Sequence, residues 1–277
     1  MKQATYILMF IVALLIGSVM NAQTDSLKNK PQFKVGVYYT SGLHYYGRTD
    51  SLKSSGFFPM AELWLTKNFY VNAAPVFVNN AIQDFQYAGT VVTAGYQFND
   101  PQKTLTGNFY VVKPFYKENS QLIQSALKAQ IAASLTLKNK FINITAGGDV
   151  KFSANIDYGT SAGIDHIFCF KLPRKTILVI DPSAYIHAGT QQFTKTYTKE
   201  NNIPWLPGTE RSEDVKKFSV LSYELSVPVI IAKGKFIFLV VPSYVMPQNL
   251  IAVQNRPDLS ENGEYLFYIT AGAKINF

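Results

Sequence analysis

From Phe33 to the end of the chain, apolar and polar residues alternate in short runs, and the connections between the runs alternate between short and long. A period of two places successive side chains on opposite faces of a strand, so each run reads as a strand with one apolar and one polar face. Twelve such segments fall near Phe33–Ser41, Phe57–Thr66, Phe69–Asn79, Phe85–Phe98, Leu105–Tyr116, Ala126–Leu137, Phe141–Phe152, Tyr158–Phe170, Thr176–Gln191, Phe218–Ile231, Phe236–Gln248 and Tyr265–Phe277. Short links lie at Lys67-Asn68, Asn99–Thr104, Lys138–Lys140, Lys171–Lys175 and Ala232–Lys235. Between them come Gly42–Gly56, Asn80–Asp84, Lys117–Ser125, Ser153–Asp157, Gln192–Lys217 and Asn249–Glu264. The pattern predicts an antiparallel sheet with tight turns at one end and longer loops at the other.

Both chain ends say where such a sheet resides. Tyr268–Phe277 reads Y-I-T-A-G-A-K-I-N-F: Ile269, Ala271, Ala273, Ile275 and Phe277 share one face, and Tyr268, Thr270, Gly272, Lys274 and Asn276 share the other. A terminal strand of this kind, closing on Phe277, resembles the assembly signal of Gram-negative outer-membrane β-barrels. That resemblance implies an all-β fold, a single antiparallel transmembrane barrel set in outer-membrane lipid and inserted by the barrel-assembly machinery. The expected barrel has about twelve strands and periplasmic termini. Asn80–Asp84 and Ser153–Asp157 are short for outer loops, so ten or fourteen strands also fit. At the other end Lys2, the apolar run Tyr6–Ile16 and the small or polar stretch Gly17–Ala22 read as a secretory signal peptide. The expected division is a cleaved signal at residues 1–22 and a barrel at 23–277. The apolar run is too short for a spanning helix, which needs about 20 residues, and no Cys lies near the cleavage point to carry a lipid anchor.

Composition fits this reading. A mean hydropathy of +0.02 is far below that of a helical membrane protein, whereas barrels offset an apolar exterior with a polar lumen. Aromatic residues make up 14% of the chain, enough for two interfacial girdles, and charged residues only 16%, few for a soluble domain. A single cysteine, Cys169, excludes an intrachain disulfide framework. The net charge of +8 does not point to nucleic acid in an exported chain. Much of it sits in the short turns, at Lys67, Lys103, Lys138, Lys140, Arg174, Lys175, Lys233 and Lys235 against Asp100, which serves turn solubility or contact with anionic headgroups.

If the apolar faces meet lipid, Leu127, Ile131 and Leu135 point outward, and the lumen receives Glu62, Lys128, Asp149, Lys151, Asp165, Lys171, Asp181, His187, Glu224 and Lys274. Charges of both signs in an enclosed space pair or stay hydrated. Such a lumen is an ion-pair network filling a narrow barrel, or a selective passage for a small polar solute. Three function classes follow: a narrow passive channel, a non-conducting scaffold of an envelope assembly, and a lipid-modifying barrel enzyme. The last needs a Ser and a His in hydrogen-bond reach. None of the three histidines has Ser two positions away, and the same-face pair Ser183 and His187 is about 13 Å apart at the strand rise. The expected plain roles are a loop position for His44, an interfacial one for His166 and a lumen bond near Asp181 for His187. No residue spacing fits a metal or a cofactor. The apolar knot around Trp205, between Pro204 and Pro207 in the longest loop, is the candidate for outside contact or an inward constriction. Pro75, Pro182 and Pro242, with Gly147-Gly148, fall at one height and predict a belt of bulges or ladder breaks. Oligomeric state is not legible.

Overall fold

The computed structural model describes residues 31–50, 52–82, 84–102, 104–117, 126–192, 217–250, 261 and 263–277. Residues 1–22 and Trp205 lie outside them. Twelve antiparallel staves close into a barrel, and no helix takes part in it. They are β1 Gln32–Thr40, β2 Ser55–Trp64, β3 Phe69–Asn79, β4 Gln86–Asn99, β5 Leu105–Tyr116, β6 Ala129–Leu137 and β7 Asn143–Phe152. β8 runs Ile156–Asp165 and resumes at Phe168–Leu172, β9 runs Thr176–Ile180 and Ser183–Gly189, and β10 runs Ser219–Ser226 and Val229–Lys233. β11 Phe236–Pro247 and β12 Leu266–Asn276 complete the wall. Each stave pairs with its sequence neighbour, and β12 pairs with β1 from Lys34↔Asn276 to Thr40↔Thr270, which closes the wall; only Phe168–Leu172, paired with β9 alone, extends beyond β7 with an open edge.

Alternation sets the two surfaces. On β1 the side chains of Phe33, Val35, Val37 and Tyr39 are exposed, and Lys34 reaches Glu62 of β2 on the opposite face. The same exposed apolar parity continues through Phe109 and Val111 of β5, Ile131 and Leu135 of β6, Phe238 and Val240 of β11 and Ile269 of β12. A band of large apolar side chains around a closed wall is what hydrocarbon solvates and water does not. Among the described residues no helix is long and apolar enough to cross a membrane, which says nothing of strands.

The belt of interruptions is real but differently composed. β8, β9 and β10 break side by side at 166–167, 181–182 and 227–228. The gap is bridged by His166 N–H donating to Pro182 O at 3.2 Å, Asp181 N–H to Pro228 O at 3.0 Å and Val227 N–H to Pro242 O at 3.0 Å. Pro182 and Pro228 cannot donate, so the ladder lapses at both. Pro242 is regularly paired with Ile269 on its β12 side but falls in the lapse on its β10 side, between Ser226↔Ser243 and Val229↔Val240, whereas Gly147-Gly148 lie in unbroken ladders. Around Pro75 the pairing of β2 with β3 lapses between Phe57↔Phe77 and Ala61↔Ala73, where Pro59 falls opposite, and β3 bulges against β4 between Val76 and Phe77.

Beside that bulge the backbones of β4 and β5 come so close that only glycine fits. A Cβ on Gly89 would lie 2.5 Å from the carbonyl oxygen of Phe115 and 2.8 Å from the Cα of Tyr116. Gly89→Ala should therefore lower barrel stability by about 1–3 kcal/mol, the usual cost of overpacking. Urea-induced unfolding followed by circular dichroism measures the shift, and an unshifted midpoint would show that the two staves separate freely there.

Candidate functional site

The loop between β1 and β2 does not stay outside. His44-Tyr45 pairs with Arg48-Thr49 as a two-rung hairpin turning through Tyr46 at φ 51° and Gly47 at φ 79°. Two consecutive left-handed residues make the tight turn whose twist suits a hairpin, and glycine at the second place removes the steric cost. Gly47 also packs flat on Pro247, where a Cβ would stand 2.8 Å from the ring. Asp50 Oδ1 accepts the N–H groups of Leu52 and Ser54 at 3.1 and 3.0 Å and returns the chain to the wall.

The hairpin's contacts reach across the barrel. The His44 ring meets the edge of Tyr268 on β12 at 4.4 Å, the Tyr46 ring lies 4.8 Å from His187 on β9, and Lys151 Nζ of β7 sits 5.9 Å over Tyr45 and 6.0 Å over Tyr46. Arg48, 2% exposed, fixes it in place. Its Nε donates to Gln191 Oε1 at 2.9 Å and Glu261 Oε2 at 3.2 Å. Its Nη1 donates to the carbonyls of Tyr46 and Leu221, each at 3.1 Å, and its Nη2 to that of Gln248 at 3.0 Å. A planar guanidinium with fixed donors suits such a buried node better than any other side chain.

What the hairpin leaves open is a cavity of about 250 Å³ lined by His44, Tyr45, Tyr46, Leu127, Gln130, Lys151, His187 and Glu224. Its charges are held: Lys151 contacts Asp149 beside it on β7, and Glu224 accepts from the Tyr268 hydroxyl at 2.7 Å, with His187 Nε2 at 3.7 Å. Burial pushes the hydroxyls of Tyr45 and Tyr46 above the ordinary tyrosine range, so both stay neutral donors. Burial also lowers the pKa of His44, as does the nearby His187, while Glu224 opposes the shift.

That shift fixes a sign. A released hairpin takes up a proton near the ordinary histidine value of 6.5, and the seated one resists. The seated state is therefore fully stable above that pH and loses stability as pH falls below it. The groups around His44 are Tyr268, Glu224, His187 and, across the cavity, Lys151. A His44→Gln variant should lose much of any acid-dependent change in conductance, and an unaltered pH profile would remove His44 as its source.

The sequence-derived candidates separate into groups. Glu62 and Lys274 meet near the turn end, where Glu62 Oε1 lies 3.2 Å from Lys34 and 3.7 Å from Lys274 and accepts from Trp64 Nε1 at 2.7 Å. Asp149, Lys151, His187 and Glu224 gather at mid-height around the cavity. Asp165 accepts from Asn143 Nδ2 at 2.6 Å and lies beside Asp181 at the break in β8 and β9. Lys171 is exposed near the turn end. Lys128 precedes β6 and is exposed, its carbonyl taken by Lys113 Nζ at 2.9 Å, because the alternation starts only at Ala129. For the same reason Leu127 lines the cavity instead of the outer face. The partner of His187 is Glu224, not Asp181. Phe277 donates its N–H to Phe33 O at 2.8 Å and packs on that ring at the seam. Ser161 and Ser222 flank His187 in register, and His187 Nδ1 and Ser222 Oγ are both buried with no hydrogen bond between them. No group of His, Cys, Asp and Glu among the described residues has the arrangement of a metal site. Arg48 and the Tyr45-Tyr46 pair are the functional residues that alternation misses. The one local sign is Y-Y-G-R, an aromatic pair and a lone Arg in a loop that otherwise reads as solvent-exposed.

No protein-family model and no curated protein matches the sequence. Among solved structures, a KdgM porin superposes over 88% of this chain and 99% of its own at a TM-score of 0.49 and 8% identity. The COG4313 outer membrane channel from Pseudomonas putida F1 covers 92% and 98% at 0.47 and 12%, and the NanC porin 88% and 98% at 0.44 and 10%. The fold is that of an outer-membrane β-barrel. At these identities the likeness is one of architecture alone; closure of the sheet and its apolar exterior are the physical grounds in this chain.

Proposed function

We propose that the protein is a narrow passive channel of the Gram-negative outer membrane, with its termini on the periplasmic side, passing small solutes that carry polar groups. The observation that carries this reading is the seated hairpin. A closed wall encloses a charged, hydrogen-bonded interior, and an inward loop fixed by a buried Arg narrows it to a small cavity without filling it. A barrel serving only as a scaffold gains nothing from a Lys, a Glu and two His lining such a space. Purified protein in a planar bilayer should give small, discrete conductance steps. Silence from both the wild type and a variant with the hairpin released would sink the channel and favour a structural barrel.

A further inference from the structure

The inner wall is not polar throughout. Glu62, Lys34 and Lys274 identify the inward face of β12, β1 and β2, and the register carries that face around the barrel. Lys274 is opposite Ile237 and Gly272 opposite Leu239; Ile237 and Leu239 are opposite Ala232 and Ile230; these in turn are opposite Ile177 and Val179. Their outward neighbours Phe236, Phe238 and Ile231 are exposed on the other face. In the turn-end half of β9, β10 and β11 the inward face therefore carries Val179, Ile230, Ala232, Ile237 and Leu239, all half-buried, and at its border beside Lys171 the exposed Ile177. Apolar surface left facing an enclosed aqueous space is unfavourable by about 25 cal/mol per Å², and a contiguous patch of it with a polar rim marks a binding surface.

The rim is charged asymmetrically. On the loop side lie the neighbouring carboxyls of Asp165 and Asp181. On the turn side lie Lys171, opposite Ile177 and without an ion pair among the described residues, and Lys274, which shares Glu62 with Lys34. Beyond them come the basic turn residues Arg174, Lys175, Lys233 and Lys235, which draw anions toward that mouth.

We propose that this wall binds the apolar body of an amphiphilic organic anion, a ring or short alkyl chain bearing one carboxylate. The carboxylate lies at the lysine border, and the body lies along the wall toward, but short of, the aspartates. The assignment rests on the channel reading for its role in transport, and it narrows the class of solute.

Trp64 offers a reporter independent of current. It faces inward at this end, with Lys34 Nζ 4.6 Å over its ring, and replacing Trp205 by Phe leaves it the only tryptophan. In nanodiscs, W205F should show a saturable change in Trp64 emission with cyclohexanecarboxylate, as the carboxylate draws Lys34 off the ring. Leu239→Asn and Lys274→Gln should each weaken binding about tenfold, through lost apolar burial and a lost charged hydrogen bond. Lys171→Gln serves in place of Lys274→Gln if that variant loses its β-sheet circular dichroism. The proposal falls if no saturation is seen, if acetate or cyclohexylmethylammonium acts at the same concentration, or if folded variants bind as the parent does. A conducting barrel that fails to bind overturns this inference alone, whereas a silent barrel that binds overturns only the channel.

Discussion

Arg48→Ala should convert a small, steady conductance into a larger and noisier one. The guanidinium is the common partner of two side chains and three carbonyls drawn from the hairpin and the loop-end edges of β9 to β12. Its removal takes away the buried cation beside Glu261 Oε2 and the donor of all five contacts, where a hydrogen bond to a charged group contributes about 1.5–3 kcal/mol. Other ties among the described residues are a backbone bridge from Arg48 to Gly263, the packing of Gly47 on Pro247, ring contacts to Tyr268 and His187, and the cation over Tyr45 and Tyr46. Ring contacts contribute about 0.5–1.5 kcal/mol each and the bridge to Gly263 is a single rung, so the seat loosens without the guanidinium. Arg48→Lys should behave nearly as Ala does, since an ammonium cannot span the same fork of acceptors. Single-channel recording checks this, and a variant with wild-type step size would show that the hairpin does not set the constriction.

Ile131→Arg should abolish stable insertion, and Thr136→Arg should not. Both residues lie on β6, but Ile131 is exposed on the apolar exterior, opposite Val111 and Val150, while Thr136 bonds Thr145 on the inner face. An Arg on the lipid face near the midplane costs about 2–4 kcal/mol, and an Arg in a hydrated lumen finds water and counter-charge. Folding into vesicles, assayed by protection from protease, separates the two. Equal insertion of both variants would mean that this sector does not face hydrocarbon.

How far the sequence foretold this structure depends on whether each stave presents two different faces. β6 and β7 do: Gln130, Ser134 and Thr136 alternate with Ile131, Ala133 and Leu135, so face and register could be read directly. Connection lengths supplied the order of staves, because tight turns force sequence neighbours to pair. The turn-end parts of β9, β10 and β11 read T-I-L-V-I, V-I-I-A-K and F-I-F-L-V-V, apolar on both faces, and there alternation carries no information about which side meets the lumen. Pro228 was invisible as a break for a related reason: the segment assigned around it was continuous in hydrophobicity. The inner hairpin shows locally only as Y-Y-G-R, which marks a turn but not where it seats. Its seat is made by residues distant in sequence, and nothing within His44–Thr49 specifies them.

Those distances carry a consequence for how the chain assembles. Apart from the Tyr46 carbonyl, the groups that Arg48 grips lie 143, 173, 200 and 213 residues downstream, so none of those is at hand while the first staves form. Bringing together ends so far apart is the slowest kind of event in a folding chain. The first loop must therefore wait, unsecured, until the last four staves arrive. The same step that seals the cylinder locks its stopper, so a growing barrel is wide open until the moment it is finished.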